Sequence, residues 1–598
     1  MIETLNPNIL PEMAVVVDRS TAAIVSSVRS EWGKYFAVME PPRPQRHDFL
    51  NEVKRRANLF RLCKFTTLLQ TGLSEDVAVG LNSSFSPSEV RVVHPDDPLF
   101  LPTSQKPPLQ FRPNNAIAAL FQALRTKRTL VIDETAPDLS IANDFPSDRL
   151  IVVEDADEIG AIVAVNLASY LGAHIKILPC KSRDDVHIIQ DLFRRYDGEK
   201  ESITKPRIAE DICSRLDIGI AEAELLQYSY CIFFSKGLVY GAAIKQVPTG
   251  HFFISLECGL QVLRNIAVDP ILRTALIVDP SQLNNSETQD VETNLTERGT
   301  YVQTLIGQSA SYVDVDFNLR ELPYDYIFFV AHGGFPKGNR LKVAFKDSLG
   351  DEHTIVLRKT YSFSPVLGTD KFLVASFTEP ESIDGLSWRD PDKTVPQGTE
   401  FIVLHLDEAL ESGVAKITDS ERDIEMRFCN CIRLREDNYF AACDAFGSMW
   451  GPVVVNNICN SIHYLSELFV FGGARVYIGT LYSVLDPLAS EFVRELVRTK
   501  MTLGDYVKAF NDSHFANKPL SCYIIYGLPT HRINFANGDN RAYFFSEVEW
   551  SLARLVKFRS DNPFHKMHEQ IDWTINHLKA ELHQKPVPTV SRSSPLGA

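Results

Sequence analysis

Two short apolar stretches each end on a side chain that can take part in covalent catalysis. In the first, residues 326–331 (YIFFVA) lead directly to His332, and in the second, residues 453–458 (VVVNNI) lead to Cys459. A thiol needs a base to become a nucleophile near neutral pH, and imidazole titrates in that range. If the two predicted strands are neighbours, the chain has the parts of a cysteine hydrolase.

The position of both side chains after a strand suggests a shared site. Ligands of open parallel sheets bind outside the carboxyl ends of the strands, which is where His332 and Cys459 are expected. Gly333 and Gly334 follow the histidine, and the absence of Cβ lets the backbone approach a substrate closely. We predict an oxyanion hole formed by the N–H of Cys459 and that of Gly333 or Gly334.

Two further polar residues are candidates for substrate binding. Asp486 could form a wall of the pocket for the substrate residue before the cleaved bond, where a carboxylate selects Lys or Arg. Alternatively it caps a helix that starts with Pro487, and the two roles are compatible. Asn457, beside the predicted dyad, either polarises His332 or satisfies backbone groups, and we favour the second role.

Strands and helices alternate along most of the chain. Apolar strands separated by helices are typical of a parallel sheet, so the predicted fold class is α/β. A second α/β unit is expected from about Pro270 onward, and it contains both strands described above. Three further elements are predicted: a helix at Ser20–Val38, a long helix at Glu287–Ile306 and a strand at Ser311–Val315.

The residues around this pair resemble a known family. His332-Gly after one apolar strand, Cys459 after another, and residues 471–489 (FGGARVYIGTLYSVLDPLA) resemble the CHAT domain, as do residues 524–529 (IIYGLP). CHAT domains are caspase-like cysteine peptidases of the caspase, separase and gingipain clan. The resemblance covers roughly residues 270–530. It implies a caspase-like domain with a mostly parallel sheet flanked by helices, in which His332 is general base and acid and Cys459 is the nucleophile.

The chain departs from the family pattern at three points. Ile458 stands where a small residue is common, and Leu528 where an aspartate is common. His332 and Cys459 are 127 positions apart (459 − 332), so an insertion is expected at about 360–445. An insertion of this size suggests a covered or regulated active site.

These observations divide the chain into five regions. A caspase-like peptidase domain is preceded by a second α/β domain, which we interpret as a regulatory or partner-binding module. The regions are 1–125 (a mixed N-terminal region), 126–268 (the α/β regulatory or partner-binding domain), 270–530 (the CHAT peptidase domain), 531–583 (a C-terminal helical segment) and 584–598 (a Pro- and Ser-rich tail expected to be disordered).

The charge and hydrophobicity of the chain limit the classes of partner that are expected. A net charge of −15 argues against nonspecific nucleic-acid binding, so nucleic acid is expected only as an indirect partner. We find neither a signal peptide nor an apolar run long enough to span a bilayer, so no membrane contact is expected. The ten cysteines are scattered through apolar contexts, which suits reduced thiols in the cytoplasm.

Two other clusters have alternative interpretations. Cys429, Cys431 and Cys443 with His405 could suggest zinc, but the C-x-C spacing lacks a paired knuckle. We therefore expect no metal and no other cofactor. Residues 54–61 (KRRANLFR) are basic, and a solvated helix face is the favoured interpretation, with a partner or nucleic-acid surface as the alternative.

The resemblance implies a function. The expected protein is a regulated cytoplasmic cysteine endopeptidase of a prokaryotic antiviral defence or cell-death system. It would act on a protein substrate and respond to an activating protein or signal-sensing partner, with the oligomeric state left open. The alternatives are a catalytically silent caspase-like scaffold or signal-binding protein, or a protein whose 129–180 unit binds a nucleotide or small signal molecule and gates the protease.

Overall fold

A computed structural model describes most of the chain. The described residues are 5–42, 49–93, 106–201, 203–255, 257–268, 270–281, 286–365, 372–388, 393–426, 430–435, 438–440, 445–462, 464–561 and 568–583. The predicted disordered tail, 584–598, lies outside them. The predicted α/β class is confirmed, since parallel strands alternate with helices along the described chain.

The N-terminal region folds around a small parallel sheet of order β2-β1-β3-β4. Its elements are β1 (Ile9–Val16), α1 (Arg19–Arg29), β2 (Tyr35–Met39), α2 (Phe49–Leu62), β3 (Thr67–Thr71), α3 (Glu75–Asn82) and β4 (Val90–Val92). They are followed by β5 (Leu109–Phe111), α4 (Ala116–Thr126) and β6 (Leu130–Ile132). The single helix predicted at Ser20–Val38 is wrong. Helix α1 ends at Arg29, and the apolar run that follows is buried at every position as β2.

The next region supplies four parallel strands of a much larger sheet. Its elements are β7 (Arg149–Glu154), α5 (Gly160–Leu171), β8 (His174–Leu178), α6 (Arg183–Gly198), α7 (Thr204–Arg215), α8 (Glu222–Leu225), β9 (Tyr230–Ser235), β10 (Thr249–Phe253) and α9 (Cys258–Ala267). Alternate residues of β7 point into two separate apolar clusters, Leu150 into one and Ile151 into the other. Both faces of the sheet are therefore covered, as the sequence pattern indicates.

The strand that precedes His332 belongs to the following unit. Its elements are β11 (Ile271–Leu272), β12 (Thr274–Asp279), α10 (Glu287–Glu297), β13 (Tyr301–Ile306), α11 (Tyr312–Glu321) and β14 (Tyr326–Phe329). The helix predicted at Glu287–Ile306 and the strand predicted at Ser311–Val315 are both wrong. Helix α10 stops before Gly299, whose φ of 81° favours glycine, and Ser311 caps α11 by accepting from the Asp314 N–H.

An antiparallel unit separates the histidine strand from the cysteine strand. It contains β15 (Gly333–Gly334), β16 (Lys337–Lys346), β17 (Glu352–Pro365), β18 (Phe372–Ile383), β19 (Leu386–Ser387), α12 (Thr399–Leu404), α13 (Leu406–Glu411), β20 (Ala415–Glu425), β21 (Cys431–Arg433) and β22 (Asn438–Tyr439). Strands β16–β20 form a five-stranded sheet with its own apolar core. This sheet begins at Lys337, well before the expected insertion point near 360.

The rest of the chain completes the large sheet and ends in helices. The elements are β23 (Val453–Asn456), α14 (Tyr464–Phe471), β24 (Val476–Thr480), α15 (Asp486–Leu496), α16 (Leu503–His514), β25 (Tyr523–Tyr526), β26 (Asn534–Phe535), α17 (Asn540–Asp561) and α18 (His568–His583). No helix within the described ranges is long and apolar enough to cross a membrane.

The large sheet has ten strands in the order β13-β12-β14-β23-β24-β25-β10-β9-β7-β8. The first five run parallel to one another, the last five do likewise, and the two sets run in opposite directions because β24 and β25 pair antiparallel. The carboxyl ends of β14 and β23 therefore share an edge with the amino ends of β7, β8 and β9. The two predicted α/β regions form one continuous sheet.

Candidate active site

The two candidate catalytic residues leave neighbouring strands at the same edge of the sheet. Strands β14 and β23 pair in parallel, and the last paired residues are Phe329 and Asn456. His332 and Cys459 each lie three residues beyond that pair. The structure thus brings together the histidine and the cysteine that the sequence places at strand ends.

Gly333 holds the two strand ends in close contact. A Cβ built on Gly333 would lie 2.7 Å from the carbonyl oxygen of Cys459 and 2.7 Å from Cδ1 of Ile458. A side chain of any size would push the two backbones apart. At Gly334 the nearest atom to such a Cβ is Nη2 of Arg433, at 3.2 Å, which is the end of a flexible side chain.

The backbone pairing distinguishes the two candidate oxyanion donors. The N–H of Arg433 donates to the carbonyl of His332 at 2.9 Å, and β15 pairs antiparallel with β21. Because N–H groups alternate in direction along such a pair, the N–H of Gly334 faces β21 and that of Gly333 faces away from it. Gly333 is therefore the glycine whose N–H remains available for an oxyanion.

A tight turn presents Cys459 at the sheet edge. Asn460 adopts a φ of 56°, in the left-handed region that asparagine tolerates better than most residues. The hydroxyl of Ser461 donates to the Asn456 carbonyl at 2.8 Å and accepts from the Thr480 N–H at 2.8 Å. These contacts tie the turn to both β23 and β24 and fix the direction of the cysteine.

The cysteine is held as a neutral thiol. Its sulfur accepts from the Val484 N–H at 3.4 Å and lies 3.7 Å from the Val484 carbonyl, to which the thiol donates. Burial raises the pKa of the Cys459 thiol, and the carboxylates of Asp197 and Asp486 act in the same direction. His332 is exposed, and no hydrogen bond joins its imidazole to the sulfur of Cys459, both of which lie in the described part of the chain.

Asp197 is a site residue that the sequence does not reveal. It lies near the end of α6, in the predicted regulatory region, and reaches the turns beside the cysteine. One carboxylate oxygen accepts from the Ser483 N–H at 3.0 Å, and the other from the Ser483 hydroxyl at 2.7 Å and from Nδ2 of Asn460 at 3.2 Å. The N-terminal α/β region therefore holds both turns that flank Cys459.

Replacing Asp197 by asparagine is expected to make Cys459 more reactive. The substitution removes a negative charge that raises the pKa of the thiol. It also weakens the hydrogen bond that the Ser483 hydroxyl donates to the carboxylate. A lower pKa increases the thiolate fraction and therefore the rate of alkylation by iodoacetamide at pH 7.5. Asp211→Asn, an exposed change on α7, is the control. An unchanged rate in Asp197→Asn, measured by mass spectrometry of the Cys459 peptide, would refute the effect.

Asn457 faces the interior of the domain. Its Nδ2 donates to Glu287 at 2.8 Å and to the Ala489 carbonyl at 2.8 Å, and its Oδ1 accepts from the Tyr523 hydroxyl at 2.7 Å. These contacts use its hydrogen-bonding groups away from His332. Only the contact with the Ala489 carbonyl satisfies a backbone group, and none of the three would let Asn457 polarise the imidazole.

Glu287 is a second residue that sequence reasoning missed. It is the first residue of α10, has 1% of its surface exposed, and accepts from Asn457 and, at 3.2 Å, from the Ser490 hydroxyl. Burial raises the pKa of its carboxyl to about 7. A buried acid that titrates near neutrality thus lies beneath the cysteine turn.

Glu287→Gln is expected to stabilise the protein increasingly as pH rises. The carboxyl has a higher pKa folded than unfolded, so folding favours its protonated form, and stability falls as pH rises from about 4.5 through 7. The full penalty above pH 7 is about 3 kcal/mol. The gain in unfolding free energy of Glu287→Gln over the wild type should grow towards this value between pH 5 and pH 8. Exposed Glu297→Gln, on the same helix, should show no such trend in urea titrations.

Asp486 is exposed at the start of α15 on the same edge as Cys459. The helix begins at Asp486 itself, with Leu485 in the capping position and no side-chain capping bond. The predicted cap is therefore wrong by one residue. A carboxylate in the first turn still favours the positive end of the helix dipole. Its charge raises the pKa values of both Cys459 and Glu287, which places it close to the turn.

The structure describes part of the cysteine cluster and the whole of the basic stretch, for which the sequence allowed alternative interpretations. Cys429 and Cys443 lie outside the described residues, Cys431 is buried against the Gly334 carbonyl, and the described residues contain no group of side chains arranged to hold a metal. In the basic stretch, Arg55 and Arg56 of α2 are buried and pair with Glu257 at 3.5 and 3.0 Å. The expected solvated helix face is therefore wrong at these two positions.

Comparisons with known proteins add little to this geometry. No protein-family model matches the chain, and no curated protein matches it. Among solved structures, Cwp6 from Clostridium difficile aligns at 12% sequence identity with a TM-score of 0.23. The alignment covers 57% of this chain and 62% of that one, and so low a TM-score carries no inference.

Proposed function

We propose that this protein is a regulated cysteine endopeptidase with a caspase-like catalytic domain and a His332–Cys459 dyad. The observation that carries the proposal is the placement of both residues at the carboxyl ends of neighbouring, in-register strands, with Gly333 packed against the backbone of Cys459. The same edge supplies backbone N–H groups for an oxyanion. Nucleophile, base and oxyanion donors are the parts that acyl transfer requires.

The chemistry follows from these positions. His332 takes the thiol proton, and the sulfur of Cys459 attacks the scissile carbonyl to form a tetrahedral intermediate. Its oxyanion accepts from the N–H groups of Gly333 and Cys459. Collapse releases the amine, which receives the proton from His332, and leaves a thioester. Water, deprotonated by His332, then hydrolyses the thioester and restores the thiol.

Negative charge around the cysteine suggests the substrate class. Asp486 is exposed near the turn, and Asp197 accepts hydrogen bonds from Ser483 and Asn460 beside the cysteine. Carboxylates pair well with guanidinium and ammonium groups. The substrate is therefore proposed to be a protein cleaved after Lys or Arg, with Asp486 as the recognising residue.

Activity is proposed to depend on an activating protein or signal-sensing partner. In the structure the thiol contacts Val484 rather than His332, and Asp197 of the N-terminal region holds the flanking turns. Strand β21 also pairs with Gly333 and Gly334, which follow the histidine, and this pairing fixes their position. A partner that moves either contact would let the imidazole reach the sulfur. A prokaryotic defence or cell-death system in the cytoplasm, where thiols stay reduced, is the proposed setting.

Fluorogenic peptide libraries with a fixed residue before the cleaved bond test this proposal. The Asp197→Asn chain, in which a contact that holds the flanking turns is weakened, should cleave peptides with Lys or Arg at that position faster than the wild type does. Adding Asp486→Asn should reduce this preference while leaving residual cleavage. Cleavage that is unchanged by Cys459→Ala would show that another residue is responsible.

A catalytically silent caspase-like scaffold is the second candidate. The observation in its favour is that His332 makes no hydrogen bond to Cys459 within the described structure. A scaffold should resist acylating thiol probes in every state, including the Asp197→Asn variant. Labelling of Cys459 by such a probe would exclude it.

A further inference from the structure

A cavity of about 480 Å³ opens at the edge of the sheet opposite the candidate active site. Its walls come from α2, α9, the end of α11, residues 445–451, Gly472–Gly473 and α17. These segments lie at the amino ends of β14, β23 and β24, roughly 20–25 Å along the strands from Cys459. The volume falls within the range of small-molecule sites, and the cavity is separate from the dyad.

Positive charge dominates the cavity. Five arginines line it against a single carboxyl group, that of Glu321, and they come from four helices that are distant in sequence; these arginines are Arg55, Arg61, Arg264, Arg320 and Arg554. Asp316 and Glu257 pair with Arg320 and Arg55 from outside the lining. Even with these two included, guanidinium groups outnumber carboxyl groups by five to three.

Arg264 lies in the cavity wall, where the Glu257 carboxylate attracts its guanidinium. Only 5% of its surface is exposed, and its Nε meets no acceptor among the described residues. Burial lowers its pKa to about 10, so the group remains charged at neutral pH. Its guanidinium lies 3.2 Å from where a Cβ of Gly473 would be, so the glycine leaves room for the flat group. A buried cation with an unused donor favours an anionic ligand.

The remaining lining supplies an aromatic surface. Trp550 lies 45% exposed at the cavity, and the guanidinium of Arg554 lies over its ring at 4.5 Å. Phe446 and Met449 add apolar walls. Burial also raises the pKa of Glu321 to about 7, which reduces the negative charge that the cavity presents to an anion. The combination of arginines with an exposed indole suits phosphate groups attached to a flat ring.

We propose that this cavity binds a small phosphorylated ligand of the nucleotide class, with Arg264 and Arg554 on its phosphates and Trp550 against its aromatic ring. Arginine forks match phosphate oxygens in pairs. This site is independent of the proposed peptidase chemistry. It also differs from the 129–180 unit that the sequence suggested as a ligand site, since none of its lining residues comes from there.

Calorimetric titration of the full chain with ATP, AMP and inorganic pyrophosphate tests the proposal. ATP should bind, and Arg554→Ala should weaken it about tenfold or more, because one charge-assisted contact is lost. Arg554 is exposed, so this variant should fold even if Arg264→Met does not. Trp550→Ala should weaken ATP but not pyrophosphate. The control Arg494→Ala, on α15, should leave all three affinities unchanged.

Two outcomes would overturn the proposal. If none of the three ligands binds at millimolar concentration, or if ATP binds with the same affinity to Arg554→Ala, the cavity is not a phosphate site. If pyrophosphate and ATP bind equally and Trp550→Ala changes neither, the ligand is not of the nucleotide class. Binding is measured without any peptidase assay. A negative binding result would therefore leave the proposed dyad unaffected, and a negative peptidase result would leave the proposed nucleotide site unaffected.

Discussion

Cys459→Ala and His332→Ala should each lower the rate of peptide cleavage by about 10³-fold or more. Loss of the sulfur removes the nucleophile, and loss of the imidazole leaves a thiol whose pKa is already raised by burial with no base to deprotonate it. Residues that act as a unit give non-additive losses. The double variant should therefore be little worse than either single variant, measured as kcat/KM on the best library peptide.

Matched controls separate this effect from general thiol or imidazole loss. Cys180→Ala and His405→Ala change an exposed cysteine and an exposed histidine elsewhere in the fold. Both should retain cleavage within about twofold, because surface substitutions away from special contacts usually have small effects. If His405→Ala lost as much activity as His332→Ala, the assignment of His332 as the base would be contradicted.

Gly333→Ala should abolish most activity while Gly334→Ala should be tolerated. The added methyl at position 333 would meet the Cys459 carbonyl oxygen and Ile458 at 2.7 Å, so the two strand ends must separate. A displaced oxyanion donor costs about 10²–10³-fold in kcat, and overpacking costs about 1–3 kcal/mol of stability. The pair is informative because the two residues are adjacent and carry the same substitution.

At Gly334 the added methyl meets only the mobile end of Arg433, at 3.2 Å. Its N–H faces β21, so we expect no loss of an oxyanion contact and a change in kcat of less than about threefold. Equal losses at both positions would show that strain in β15, rather than the position of the Gly333 N–H, explains the result. Comparing kcat with the urea midpoint for each variant distinguishes chemistry from stability.

The strands at the site could be predicted from the sequence because their signal is local and strong. Residues 326–331 are a continuous apolar run and residues 453–455 are three valines, and the strands that contain them, Tyr326–Phe329 and Val453–Asn456, are buried in the parallel part of the sheet. Their adjacency did not follow from the sequence, which made it only a condition of a shared site at the carboxyl ends of the strands; the pairing of β14 with β23 is seen in the structure. The Gly-Gly pair predicted a close approach of the backbone to a substrate, whereas the structure also places Gly333 against the backbone of Cys459.

Other elements were mispredicted where short-range signals compete. Residues 287–306 contain enough polar and apolar residues to suit a helix, but Gly299 ends it and β13 follows. Residues 311–315 alternate like a strand, yet Ser311 caps a helix whose buried face is supplied by tertiary packing. In both cases a single turn or cap residue decides the structure, and the hydrophobic pattern alone does not contain that information.

The contacts that control the cysteine could not be predicted because they join distant parts of the chain. Asp197 reaches Ser483 across 286 positions, and only the antiparallel meeting of β24 and β25 brings the end of α6 to the active edge. Glu287 contacts Asn457 across 170 positions. No spacing in the sequence indicates either pair, and both depend on the order of strands in the completed sheet.

Mapping of a covalent adduct tests the central claim most directly. A peptidyl acyloxymethyl ketone with arginine at the position before the reactive carbon would be incubated with the full chain and with Asp197→Asn, and modified peptides identified by mass spectrometry. The expected result is one adduct, on Cys459, formed faster in Asp197→Asn and suppressed in His332→Ala. Modification of Cys180 instead, or labelling of Cys459 at the same rate without His332, would contradict a catalytic dyad.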